Sequence, residues 1–185
     1  MKNVISTLLF FSIILLSSSC KKDNSAPSQL DSLLKVTMTN GDVIYASPVD
    51  NSTAVLWGPH TDITTLSDIQ TLAGANMDFA GETNTAAIVA QLGDNGGTAY
   101  AAKVCADLVA YGFDDWYLPA AGELNRMYKK LGPVANGGSG QITSGQYWSS
   151  SEYKANDAWG QHFGNVGQGD GNKVNDDFRC RCVKR

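Results

Sequence analysis

Tyr147-Trp148-Ser149-Ser150-Ser151-Glu152-Tyr153 leads into a segment rich in Asn, Asp and Gly, and the chain then closes on Phe178-Arg179-Cys180-Arg181-Cys182-Val183. The aromatic and apolar residues at each end predict short strands around Tyr147-Trp148, over 158–163 and over 178–183. Between them, 154–177 carries Asn156, Asp157, Asn165, Asp170, Asn172, Asn175, Asp176 and Asp177, with glycine at 160, 164, 167, 169 and 171. Such residues neither build a core nor favour strands. Within 158–163 the side chains alternate. If Trp159, Gln161 and Phe163 point inward, Gly160 and His162 point outward. The segment then reads as an exposed polar ribbon on a rigid scaffold, an arrangement that often carries binding residues. The predicted ligand-binding residues are Lys154, Asn156, Asp157, Gly160, His162, Asn165, Gln168, Asp170, Asn172, Asn175, Asp176 and Asp177.

Working outward, Asp115-Trp116-Tyr117-Leu118-Pro119-Ala120-Ala121-Gly122-Glu123-Leu124 opens a helix over 120–131. Pro119 starts it, and Glu123 lies in the first turn, where the helix dipole favours an acid. Leu124, Met127, Tyr128 and Leu131 share its inner face. A longer helix is predicted over 99–111, buried through Ala102, Cys105, Ala106, Leu108 and Val109 and stopped by Gly112. A third runs over 84–92, capped by Thr83 or Asn84, and a helical turn is expected over 67–72. Strands are expected over 35–38, 42–46 and 54–57, the first two joined at Asn40-Gly41. The pattern is α+β: a small antiparallel sheet, two or three helices and long loops, with strands from both ends of the chain pairing in one sheet.

The first residues predict where the protein works. Lys2, an apolar run over 4–16, the small residues Ser17, Ser18 and Ser19, and then Cys20 have the layout of a secretory signal peptide over 1–19. Small residues just before a cysteine resemble a bacterial lipobox, which implies cleavage before Cys20 and acylation of its thiol. Residues 20–34 then form the lipidated cysteine and a polar tether, followed by one domain over 35–185. The expected location is the outer membrane, facing outward, with the lipid as the only membrane contact. The whole chain has 14 basic and 18 acidic residues. Removing 1–19 takes away one lysine, leaving a net charge of −5, which argues against a nucleic-acid partner.

Cys105, Cys180 and Cys182 remain, and an exported chain favours a disulfide. Cys180 and Cys182 are two apart on a predicted strand, so each competes for Cys105. The two histidines, His60 and His162, do not stand at ligand spacing from these cysteines, and no metal is expected. Asp170-Gly171-Asn172-Lys173-Val174 begins like a calcium loop but fails at its fifth position. Ser149 to Ser151 has no histidine at a recognisable motif spacing, so no catalytic residue and no cofactor is predicted.

Cys105, Gly112, Asp115-Trp116, Leu118-Pro119, Glu123-Leu124, Tyr147 to Glu152, Ala158-Trp159 and Arg181-Cys182-Val183 occur in order. In these motifs the chain resembles the domain family at the C-terminus of the Legionella collagen-like adhesin. The resemblance covers roughly 40–185. It implies a C-type lectin-like fold of the formylglycine-generating-enzyme type, a ligand-displaying role without catalysis, and a Cys105–Cys182 bridge. Two departures stand out. Tyr117 replaces the usual arginine, which would remove a structural ion pair, and Cys180 is additional. The polar ribbon also resembles the variable region of proteins diversified by adenine-directed retroelements. An AAC codon mutated at adenine yields the residue types found at Asp157, Gly160, His162, Val174 and Asp176, whereas Gln168 and Lys173 do not arise that way. Two alternatives stand beside the binding role: a structural subunit of a surface filament or envelope complex, and an enzyme of the formylglycine-generating type, whose chemistry needs a reactive cysteine pair in a cleft.

Overall fold

A computed structural model of the chain describes residues 29–165 and 167–185. The expected signal peptide, the acylated Cys20 and the tether up to residue 28 lie outside the described residues. The rest of the expected tether is structured. Gln29–Ser32 form a 3-10 turn, and Leu33 is buried beside Trp57 and Trp116 in the same core cluster. Among the described residues, no helix is long and apolar enough to cross a membrane.

The strands form two sheets rather than one. In the first, β1 (Leu34–Thr37), β2 (Val43–Ala46) and β8 (Val183–Lys184) lie in that order, all antiparallel. It joins strands from the two ends of the domain, as their apolar alternation predicts. The second has the order β3 (Ser52–Val55), β7 (Phe178–Cys180), β4 (Gln146–Lys154), β5 (Asp157–His162), β6 (Gln168–Asn172). Its β4–β7 pair is parallel and its other pairs are antiparallel.

Among the described residues, four α-helices pack against the sheets or against one another. They are α1 (Leu72–Met77), α2 (Gly81–Leu92), α3 (Ala101–Ala106) and α4 (Ala121–Leu131). The contacts of α2 and α3 run to β3, β4 and β7, and those of α4 to β1, β4 and β5. One core cluster gathers Trp57, Ile88, Tyr100, Cys105, Trp116 and Trp148, and a second gathers Val36, Ile44, Leu124, Met127, Tyr147 and Phe163. All four tryptophans donate their indole N–H to a backbone carbonyl: Trp57 to Ser149, Trp148 to Val55, Trp159 to Ile69, and Trp116 to Ala110 and Phe113. That pairing lets such large side chains be buried without stranding a polar group.

Three helix expectations change. The helix predicted over 84–92 begins three residues earlier, at Gly81, so neither Thr83 nor Asn84 caps it; its N-cap is Ala80, which makes no side-chain cap bond. The helix predicted over 99–111 covers only Ala101–Ala106. After it, Ala110 and Phe113 exchange both backbone hydrogen bonds across a turn with Tyr111 at φ +56° and Gly112 at φ +78°. Left-handed backbone at both central positions closes a tight reversal instead of continuing a helix. The helical turn expected over 67–72 begins later, at Leu72, where the Thr71 hydroxyl caps it by accepting from Gly74 N–H.

A disulfide joins Cys105 of α3 to Cys182, between β7 and β8. Cys180 is a buried free thiol.

Candidate functional site

The polar segment forms most of a three-stranded meander. Strand β5 lies between β4 and β6, with Asp157 opposite Asn172, Ala158 opposite Gly171, Trp159 opposite Asp170, Gly160 opposite Gly169 and Gln161 opposite Gln168. Sequence reasoning missed β6, because Gln-Gly-Asp-Gly-Asn has almost no strand propensity. What holds it is tertiary. The Phe178 ring stacks on Trp148 at 4.1 Å, and it occupies the space that side chains at 160 and 171 would need. A Cβ at Gly171 would approach Phe178 to 2.6 Å, and one at Gly160 to 3.2 Å. Glycine is the residue that lets this ring pass so close to the sheet.

The expected outward face of β5 is therefore corrected. Both of its faces are covered: Ala158 packs in the core with Trp148, and Trp159 packs on Ala75 and Ala121. Gly160 is buried and presents nothing to solvent. His162 is half-buried, and its Nδ1 accepts from the N–H groups of Gly164 and Asn165, which ties down the start of the β5–β6 connection.

The turn after β6 is also self-occupied. Asn172 Oδ1 accepts from Val174 N–H, Asn175 N–H and the His60 ring, and Asp176 accepts from Asn172 N–H at 2.6 Å. These are the side-chain-to-backbone bonds by which Asn and Asp build turns. Asn172 and Asp176 thus act within the scaffold, and Gln168 donates its amide to Ala121 O.

Lys173 departs furthest from the exposed-ribbon reading. Its ammonium is fully buried, pairs with Glu152, donates to Thr61 O at 2.8 Å and stands 4.5 Å from the Trp57 ring centroid. Glu152 in turn accepts from Ile63 N–H. Burial raises the Glu152 pKa, and the Lys173 hydrogen bond and charge oppose that rise. The pair pins the far end of the meander to the 57–63 segment.

The exposed predicted residues are Lys154, Asn156, Asn165, Asp170, Asn175 and Asp177, while Asp157 is half-buried. Lys154 pairs with Asp157 at 3.1 Å. The hydrogen bond and charge of Asp157 raise the lysine pKa, and Asp170 contributes to the same field. The structure thus divides the predicted set into outward side chains and side chains that build the frame.

Two polar clusters brace the frame. Asp50 receives hydrogen bonds from Arg179, Arg181 and Tyr147. Burial alone would raise the Asp50 pKa, but the guanidinium groups of Arg181 and Arg179 more than offset it, and the net shift is downward. In the second cluster, buried Glu123 accepts from Ala120 N–H, Tyr117 and Arg185. Burial pushes the Glu123 pKa up, and those partners restrain it. An ion pair is present beside Tyr117: Arg185 meets Glu123 at 2.9 Å and also donates to the Tyr117 hydroxyl.

The sulfur atoms of Cys105, Cys180 and Cys182 lie within 4.8 Å of one another. With two of them bridged, one thiol is left there, and burial raises it to about 12.

The family model described as the Lcl C-terminal domain matches residues 46–184. No curated protein matches the chain. The fold is similar to that of a fimbrial protein from Bacteroides ovatus ATCC 8483, with a TM-score of 0.53 and 16% identity. The similarity covers 76% of this chain and 35% of that one, so the chain spans about a third of that protein's length.

Proposed function

This chain is a member of the Lcl C-terminal domain family, and from that membership we propose that it is a cell-surface protein that binds an external protein or glycan. It is held by a lipid on Cys20 at the outer membrane after removal of residues 1–19. The ligand face is made by the outward side chains of 154–177. The observation that carries this reading is the division of labour in that segment. Trp159, Gly171, Lys173 and Phe178 hold the backbone, while Lys154, Asn156, Asn165 and Asp170 stay exposed. A fixed backbone under changeable polar side chains suits a recognition surface. It also suits a segment diversified by adenine-directed mutagenesis. The role is non-catalytic: two of the three clustered cysteines form a disulfide, and the third is a buried thiol of raised pKa, which is a poor nucleophile.

The test is binding by cells displaying the full chain to arrays of matrix proteins and glycans. Binding to at least one array member should be lost in the triple variant N156A/N165A/D170A without a change in thermal unfolding. A variant that binds as the parent does would refute the assignment of the face. Sequencing the 3′ end of the gene across many cells of one population addresses diversification. Substitutions confined to adenine positions in codons 154–177 would support it, and an invariant segment would remove it.

A second reading, a structural subunit of a surface filament, is favoured by the similarity to the fimbrial protein. Concentration-dependent assembly of the purified chain would support it.

A further inference from the structure

Four buried side-chain polar atoms among the described residues have no hydrogen-bond partner: Tyr128 Oη, Ser150 Oγ, Gln161 Oε1 and Gln168 Oε1. Three of the four belong to residues lining one cleft of about 190 Å³. The cleft lies between α1, α4 and the β5–β6 pair, and Asn76, Asn125 and Lys129 complete its polar lining. Leu72, 51% exposed, forms an apolar lip.

Chance does not readily gather such atoms. A buried polar atom without a partner costs on the order of 1–3 kcal/mol. Tyr128 is 5% exposed and Gln161 2%. The orientations of both glutamine amides are fixed by their neighbours. Gln161 Nε2 donates to Gly167 O at 3.2 Å, and Gln168 Nε2 donates to Ala121 O at 2.8 Å. A flip would set oxygen against oxygen, so in each amide the oxygen is the end without a partner. The two glutamines are also direct cross-strand partners, which brings the two amides together.

The chemistry of the lining selects a ligand. Two amide oxygens can accept and the Tyr128 hydroxyl can donate or accept once a ligand displaces the side chains that cover these buried atoms. Asn125 donates to Asn76, which leaves Asn125 Oδ1 as a further acceptor and Asn76 Nδ2 as a further donor. No carboxylate lines the cleft, which disfavours a metal ion or an ammonium group. The one charged group, Lys129, is an exposed side chain. Paired donors and acceptors beside an apolar lip fit a neutral polyol, whose hydroxyls both give and take hydrogen bonds and whose C–H face packs on an aliphatic side chain. The volume is about that of six waters at roughly 30 Å³ each, the scale of one sugar ring.

We infer that the cleft lined by Tyr128, Gln161, Gln168, Asn76 and Asn125 is a subsite for a single neutral sugar residue. The inference rests on the reading of the chain as a binder of external ligands and narrows the ligand class to glycan. It also gives Gln161, which the exposed-ribbon pattern turns inward as a core residue, a place in recognition.

The test uses the full chain, a panel of methyl glycosides of neutral hexoses and N-acetylhexosamines, and saturation-transfer NMR. At least one glycoside should bind, and its dissociation constant should rise at least tenfold in Tyr128→Phe and in Gln168→Met. Both variants should unfold at the parent's temperature or higher, because each removes an atom that lacks a partner. V109A, at an exposed position that does not line the cleft, should bind the glycoside like the parent. Absence of binding by every glycoside would overturn the inference, as would unchanged affinity in both variants. A lowered unfolding temperature in Tyr128→Phe would also overturn it, because the hydroxyl would then have a structural partner. The two readings fail separately. Array binding that persists in Tyr128→Phe while no glycoside binds removes the subsite and leaves the exposed face. Glycoside binding with an array signal indifferent to N156A/N165A/D170A does the reverse.

Discussion

Lys173 and Glu152 form an ion pair in which the lysine side chain exposes 0% and the carboxylate 1% of its surface. It joins the turn after β6 to the end of β4, within a segment whose composition reads as solvent-exposed loop. Breaking such a pair leaves one buried charge without its partner. K173M alone, or E152L alone, should therefore lower unfolding stability by about 3–5 kcal/mol. The double variant K173M/E152L should recover much of that loss. A urea-unfolding double-mutant cycle measures the coupling, and additive losses would refute it.

Asp50 carries a pH signature. Its folded pKa is depressed, so its contribution to stability is present above the unfolded carboxylate value and is lost as pH falls through the folded value. D50N removes the charge but leaves Arg181 largely buried. It should cost about 1.5–3 kcal/mol at neutral pH. The gap between D50N and the parent should narrow below about pH 4. A constant gap in a series of unfolding curves from pH 7 to 3 would contradict this assignment.

Cys180 gives the opposite sign at the other end of the scale. Burial raises its pKa from 9.0 to about 12. The stability linked to its neutral thiol is fully present below about pH 9 and is lost as pH rises through 12. C180A should therefore lose stability less steeply than the parent between pH 9 and 11. In the native parent, iodoacetamide at pH 8 should leave the Cys180 peptide unmodified, and denaturant should expose it. Mass spectrometry of that peptide is the readout, and rapid native labelling would refute the burial.

Two glycines on β6 should respond oppositely to one methyl group. At Gly169 a Cβ meets nothing within 4 Å, whereas at Gly171 it meets Phe178 and Trp148 at 2.6–2.7 Å. G171A should cost about 1–3 kcal/mol through overpacking, and G169A should stay within about 0.5 kcal/mol of the parent. Thermal unfolding of the two variants decides the matter. If the segment is diversified, position 171 should stay glycine in every variant that folds.

The parts legible in the sequence were those with strong local signals. Helix α4 was bounded to within a residue by Pro119, its apolar spacing and Glu123. The strands from the two ends followed from alternation at Val36, Ile44 and Val183, and their pairing with one another is seen in the first sheet. Helix 99–111 was overlong because apolar spacing continues through Leu108 and Val109, while the reversal at Tyr111 is closed by Phe113 and Trp116 from further along. Strand β6 left no local trace: its order comes from Phe178 and from pairing with β5. Lys173 is a general lesson, since a lysine among Asn, Asp and Gly looks solvated until Glu152 and Trp57 come into view. Alternation turns Gln161 inward, but its unpartnered oxygen emerges only when Tyr128 and Gln168 are placed beside it.

The Cys105–Cys182 bridge also sets how the molecule responds to tension. The two cysteines are 77 positions apart, a length that would reach about 270 Å if drawn out. A pull on the two ends of the chain cannot release that slack while the bridge is intact, because the load passes from Cys105 directly to Cys182. The entire β4–β5–β6 meander lies inside the shielded loop. A pull on the two ends can peel away β1 and β2, which lie outside the loop, while β4, β5 and β6 stay folded within it.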